Sequence, residues 1–462
     1  MNQHPFLMWL FKAKAALMVL VVTSIAFTSC NNDDNDTPAQ PTQSIVALAQ
    51  SNSNLSILVS ALTKFPDLVT VLNGSGNFTV FAPTNAAFTA LLGAIGQTDL
   101  NDIPEDVLRD VLEYHVIGTA AVRSTQLTAG PVATVGGEDI TVTTAGGIRF
   151  NGTVSVVTAD IEASNGVVHV VDAVLVPPSI TPIVGTIVAP AYFNKNFTTL
   201  IAAVKAASPT ILEALLASGD KTLFAPTNDA FAEAGITSLP DQATLDAVLT
   251  YHVIGAEVMA ADIADGSSSA PTLNGDIYLS KSAAGVFING TTEVIATDIT
   301  ASNGVVHVID RTLLPPSQTI AEIAVAGGFT QLVAALSKVP ALLNAAGAEG
   351  NLTVFAPTDA AFQALYDAVG VSNMDQLEAA IGNQKLAQVL QHHILGQRIF
   401  STDLSNGSVS TLNQNVEVNV SNLTITDANG SAAGLVTSGL NILATNGVIH
   451  VIDQVLIPDG IL

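Results

Sequence analysis

Three short motifs recur along the chain in one fixed order, and this repetition limits the architecture more than any other feature. FTVFAPTNAAF at 78–88 returns as KTLFAPTNDAF at 221–231 and as LTVFAPTDAAF at 352–362. LRDVLEYHVIG at 108–118 returns as LDAVLTYHVIG at 245–255 and as LAQVLQHHILG at 386–396. NGVVHVVD at 165–172 returns as NGVVHVID at 303–310 and as NGVIHVID at 446–453. Self-similarity at a period of about 140 residues means that one folding unit is present three times in the 462 residues. The expected domains are 44–178, 181–316 and 319–459, each large enough to bury roughly two-thirds of its unfolded surface. Between them, VPPSITP at 176–182 and LPPSQT at 314–319 predict short, stiff, extended links, because paired prolines favour polyproline geometry.

Local patterns place each motif on an element. Residues 78–82 are a β-run, Pro83 stops it, and Thr84 or Asn85 can cap a helix through Phe88 and Leu91, so FAPT predicts a strand-to-helix corner. Upstream of it, LSILVSAL, FTTLIAAVK and FTQLVAALSK predict a helix in each copy. In the second motif Leu108, Val111, Leu112 and His115 fall on one helical face, with Gly118 as the expected stop. That spacing buries His115 and leaves Tyr114, about 100° round the helix, as the accessible member of the pair. The third motif is the return strand of a hairpin turning at Asn165-Gly166. Its two faces are both apolar, which predicts a strand covered on both sides.

Seven of the eight histidines lie in these motifs, a count that invites a catalytic or metal reading. Geometry opposes it. His169 and Asp172 point to opposite faces of a strand, and His392 and His393 are adjacent on a helix and cannot chelate as an i, i+4 pair would. Asp160 and Asp298 precede the turn in two copies, but Asn441 stands there in the third, so a carboxylate needed for chemistry at that position would be abandoned in one copy. Nucleophile elbows, Walker loops and paired cysteines are lacking. His169, His307 and His450 are therefore expected to be structural, each with a hydrogen-bond partner for a ring nitrogen, and the same holds for the helix histidines.

Charge narrows the partners. Lys and Arg number 14 against 39 Asp and Glu. Residues 1–29 hold Lys12 and Lys14 and no acid, so without them 12 bases face 39 acids and the net charge is −27. Such a surface repels nucleic acid and favours basic or divalent-cation-bridged partners. Lys12 and Lys14 precede the apolar run 15–27, which has the length of an export signal core. FTSC follows, and its Cys30 is the only cysteine, which excludes an intramolecular disulfide. This resembles a bacterial lipoprotein signal, with 1–29 removed and Cys30 lipidated, although Phe27 stands where leucine is usual. Residues 30–43 read as a disordered tether spanning on the order of 20 Å. Its Asp33, Asp34 and Asp36 resemble the surface-export signal of lipoproteins in some Gram-negative bacteria.

The FAPT corner, the Tyr-His helix and the NGVVH strand, in that order, resemble the fasciclin (FAS1) domain family, present three times. The resemblance implies an α+β fold in which a β-wedge or sandwich packs with several helices, and a role in adhesion or extracellular interaction. In animal members the Tyr-His region is linked to integrin binding. Carried over by position, the candidate adhesion residues are Tyr114 and His115, Tyr251 and His252, and His392 and His393, the third copy having lost the tyrosine.

The function expected is therefore a non-enzymatic, lipid-anchored adhesion protein of the outer membrane, exposed at the cell surface or else facing the periplasm. Its partner would be an extracellular protein or a polysaccharide, with avidity from serial domains. No cofactor and no metal motif is expected. The alternative is a surface carbohydrate-binding protein that captures or attaches to polysaccharide. With Trp9 as the single tryptophan and five tyrosines in all, a broad aromatic platform for sugars is poorly supplied.

Overall fold

In each copy the proline of the FAPT motif ends a buried strand and the threonine after it starts a helix. The computed structural model describes residues 40–461, so the expected signal segment, Cys30 and most of the tether lie outside the described residues. The corner strands are Phe78–Pro83, Lys221–Pro226 and Leu352–Pro357. Thr84, Thr227 and Thr358 follow with extended backbone, and each hydroxyl accepts from the amide three residues on, at 3.2, 3.2 and 3.1 Å. That bond satisfies one of the orphan donors at the start of the helices Asn85–Ala94, Asn228–Glu233 and Asp359–Val369.

The corner strand lies parallel to the return strand of its own copy, with Phe78 opposite Gly166, Lys221 opposite Gly304 and Leu352 opposite Gly447. Every residue of the return strands Gly166–Val171, Gly304–Ile309 and Gly447–Ile452 is buried, as expected of a strand covered on both faces. The third copy displays the two covers. Ile449 packs with Leu332, Phe362, Leu377 and Leu390 of the helices, whereas Ile452 packs with Phe355, Val416 and Ile425 of the sheet. Side chains alternate across the pleat, so one strand feeds two cores.

Around this pair the copies differ. The first forms a seven-stranded sheet that runs from Val116–Ile117 through the corner and return strands to Gly130–Ala133. The second closes the same order into a barrel because Gly266–Thr272 reaches back to Val253–Ile254. In the third the sheet is broken in two. The long strands Val154–Ala163 and Thr292–Ala301 bend through irregular register, and at the matching place the third copy opens into a 3-10 turn, Thr437–Gly439.

The described chain divides into two compact units between Thr198 and Thr199, the first holding copy one with residues 181–198, the second holding the rest of copy two and all of copy three. Within the second unit the two copies are joined by specific contacts. The Arg398 guanidinium lies 4.2 Å from the ring centre of Tyr278 and donates to the carbonyls of Ala444 and Thr445, both at 3.2 Å. Phe400 packs beside Tyr278, and the Asn441 amide donates to Gly290 O at 2.8 Å.

Three expectations need correction. The Tyr-His helix does not run to Gly118. It ends at Tyr114 with His115 as its cap, because Val116–Ile117 pairs with the corner strand and straightens the backbone. The hairpin turns at Ser164 and Asn165, one residue early, and Gly166 already pairs with Ala163. Glycine is needed there for close approach, since a Cβ would stand 2.1 Å from Phe78 O. The first proline link is turned rather than extended: the amides of Ile180 and Thr181 donate to Pro177 O at 3.1 and 3.0 Å, and a 3-10 turn Thr181–Ile183 follows.

Candidate functional site

At the end of the helix Glu105–Tyr114, His115 Nδ1 donates to Val111 O at 2.6 Å while Nε2 accepts from Leu175 N at 2.9 Å. His252 does the same with Val248 and Leu313, and His393 with Val389 and Leu456. Each ring thus ties the helix to the segment leaving the return strand. Those partners fix one tautomer, because a second proton would point at an amide that already donates. Burial agrees and holds all three well below the ordinary histidine value, at about 4.

Tyr114 is not the accessible member of its pair: it is 0% exposed. The helix lies between both cores. While Leu108, Val111 and Leu112 are buried on one side, Tyr114 reaches the sheet core of Phe81, Ile140 and Phe150. Its hydroxyl donates to Asp139 O and accepts from Asn151 Nδ2, both at 2.9 Å. Tyr251 repeats this with Asp276 O and Asn289 Nδ2 at 2.9 and 3.2 Å. In the third copy His392 occupies the position, equally buried, but its Nδ1 stands 3.4 Å from Thr411 Oγ1 and its Nε2 has no partner among the described residues. His392 therefore has the expected partner on one ring nitrogen only, and at long range, since an imidazole is shorter than a phenol.

In the second and third copies an exposed leucine lies beside this helix, where the first has the half-buried Val135. Leu273 donates its amide to Val253 O and Leu412 to Ile394 O, just after Tyr251-His252 and His392-His393, and the two residues are 55% and 49% exposed.

The histidine of the return strand has a different task. His169 Nε2 donates to Val122 O at 2.9 Å, and Nδ1 accepts from Asp160 N at 3.3 Å. His307 and His450 repeat the pair with Val258 and Asp298 and with Ile399 and Asn441. Asp160, Asp298 and Asn441 all have positive φ, near 60°, and each offers one side-chain oxygen to a backbone amide, of Ser124, Ala260 and Ser401. A left-handed backbone and one carbonyl-type oxygen are common to all three, and asparagine supplies both as aspartate does.

Sequence reasoning missed two other repeated residues. Asn165 Nδ2 donates to Leu72 O and Gly74 O at 2.7 and 3.0 Å, and its Oδ1 accepts from Ile45 N at 3.0 Å, so one side chain closes one helix and opens another. Asn446 makes the equivalent three bonds, and Asn303 donates to Leu215 O and Ala217 O. Thr79 of the corner strand donates to Ala120 O and accepts from Val122 N, and Thr222 and Thr353 act alike. Their signal was recurrence itself: a hairpin turn does not need asparagine, nor a covered strand threonine, at the same place three times. Among the described residues no three of His, Cys, Asp and Glu come together as a metal-holding group.

Comparison with known proteins shows the family. The fasciclin domain model matches residues 53–177, 195–315 and 327–458, and the chain belongs to the fasciclin family. Protein sll1483 of Synechocystis sp. is 41% identical over 134 residues, 29% of this chain and 73% of that protein. Transforming growth factor-beta-induced protein ig-h3 of Sus scrofa is 28% identical over 430 residues. That match covers 90% of this chain but 57% of the relative, so the chain spans little more than half the length of the animal protein. A solved FAS1 domain pair from the insect cell adhesion molecule fasciclin I matches at a TM-score of 0.29 and 19% identity, over 58% of this chain and 99% of that one. Fasciclin domains are typically adhesion or extracellular-interaction modules.

Proposed function

We propose that the protein is a non-enzymatic adhesion protein, anchored in the outer membrane through lipid on Cys30 and displayed at the cell surface. Domains 44–178, 181–316 and 319–459 follow one another from the tether at 30–43, and weak contacts by each sum to avidity towards an extracellular protein or polysaccharide. The observation that carries this reading is the inward direction of the repeated polar chemistry. The cap histidines, the return-strand histidines and the turn asparagines bond to backbone within their own copy, which makes them scaffold and leaves binding to the outer faces.

The Tyr-His regions take part as supports. Tyr114, His115, Tyr251, His252, His392 and His393 fix the backbone against which the neighbouring surface is built, and Leu273 and Leu412 supply exposed contact area there. The strongly acidic chain favours basic partners or bridging by divalent cations.

Protease shaving of intact cells tests the placement. Wild type should be released by protease from whole cells, and Cys30→Ala should appear in the medium without it. A wild type protected until the outer membrane is broken would place the chain in the periplasm and end the cell-to-cell reading.

A further inference from the structure

Between copies two and three, inside the second compact unit, lies a cleft of about 240 Å³. Its lining includes Glu233, Arg311, Thr312, Leu314, Asn441 and Leu443. Arg311 Nη2 and Glu233 Oε1 are 2.5 Å apart, and both side chains are about half exposed. Thr312 is 7% exposed, yet its hydroxyl has no hydrogen-bond partner among the described residues, which is a cost a folded protein ordinarily avoids.

Comparison among the three copies singles out these residues. Where the second copy has Thr312, the first and third have Val174 and Val455, both buried. At the position of Arg311 they have Ala173 and Gln454, and at that of Glu233 they have Ala90 and Ala364. The framework therefore folds with apolar or uncharged residues at all three places. The second copy alone brings an ion pair and an unmet hydroxyl to one cleft, although burying a hydroxyl in place of valine gives the core nothing. The walls are held in place by Asn441, whose amide hydrogens reach Gly290 O and Ser401 Oγ at 2.8 and 2.7 Å. A site fixed before its ligand arrives loses less on binding.

We propose that this cleft binds one neutral sugar residue, the terminal unit of a polysaccharide or glycan. This names a ligand for the adhesion reading but does not depend on it. An ion pair carries no net charge, so it favours neither an acid nor a base. It does offer a carboxylate that accepts and a guanidinium that donates, side by side, and vicinal hydroxyls match both. Leu314 and Leu443 can cover the C–H face of a ring, and a ligand hydroxyl beside Thr312 would meet the unmet group. The volume lies below the range of roughly 300–1,000 Å³ for drug-sized ligands, which suits a single ring.

The test is titration of the purified full chain with the methyl glycosides of glucose, galactose, mannose and N-acetylglucosamine, followed by ligand-observed NMR. At least one should bind saturably, and Thr312→Val and Arg311→Gln should each weaken it by five-fold or more. Thr312→Val should unfold in urea at the wild-type midpoint or above, which separates lost binding from lost fold. Absence of saturable binding by wild type overturns the proposal, including the case in which the cleft holds a peptide instead. So does binding that survives both substitutions. Neither result bears on cell attachment, which is measured separately.

Discussion

Acidification from pH 7.5 to 4.5 should destabilise every copy through one residue, the histidine that caps the Tyr-His helix. His115, His252 and His393 are completely enclosed, and burial lowers each from the usual 6.5 to about 4. The unfolded chain takes up a proton near pH 6.5, whereas the folded chain resists until about pH 4. Stability is therefore complete above pH 6.5, falls as pH drops towards 4, and falls no further from this source below it. At pH 4.5 the difference amounts to about 2.5 kcal/mol per copy. The third copy should lose most, because burial also lowers His392 and His450. Carboxylates held below their ordinary value, such as Asp67 beside Arg109 and Asp160 bonded by Ser124, lose their contribution only at lower pH. The general charge effect has the opposite sign, since a chain of net charge −25 repels itself less as it is acidified. Urea unfolding with hydrogen exchange read in the return strands reports on each copy separately. His115→Gln should lower stability at pH 7.5 and flatten the pH dependence of the first copy alone. A flat profile from pH 7.5 to 4.5 in wild type, or an unchanged slope in His115→Gln, would refute the reasoning.

Other substitutions probe the scaffold in different ways. Gly166→Ala puts a methyl group 2.1 Å from Phe78 O and should destabilise the first copy by about 3 kcal/mol or more, seen as loss of its urea transition at a point where the other copies persist. Asn165→Ala leaves the carbonyls of Leu72 and Gly74 and the amide of Ile45 without their bonds, and should cost about 2–4 kcal/mol in the same assay. Tyr114→Phe removes the bonds to Asp139 and Asn151 and should cost about 1–2 kcal/mol while attachment of cells is unchanged. A loss of attachment without a loss of stability would return Tyr114 to the contact surface.

Much of each copy was legible because its motifs obey local rules. Pro83 and Thr84 announce a strand end and a helix start, and the apolar residues on both faces of 167–171 announce a covered strand. The helical period also placed His115 correctly in the interior. It failed for Tyr114 because a one-sided helix was assumed, whereas this helix touches two cores and has little free flank. Sequence also could not show that Gly166 faces a parallel neighbour, since the partner strand lies 88 residues away in the chain. The cleft beside Arg311 was invisible for a related reason. Its wall includes Asn441 and Leu443 of another copy, and only folding brings them there.

The central claim is tested most directly by attachment of cells to a layer of neighbouring cells and their matrix. Three strains are compared, carrying the full chain, the chain with Cys30→Ala, or neither. The account predicts that attachment by the first exceeds the third several-fold and that Cys30→Ala falls to the level of the third. Equal attachment by all three, with shaving showing wild type on the surface, would contradict it.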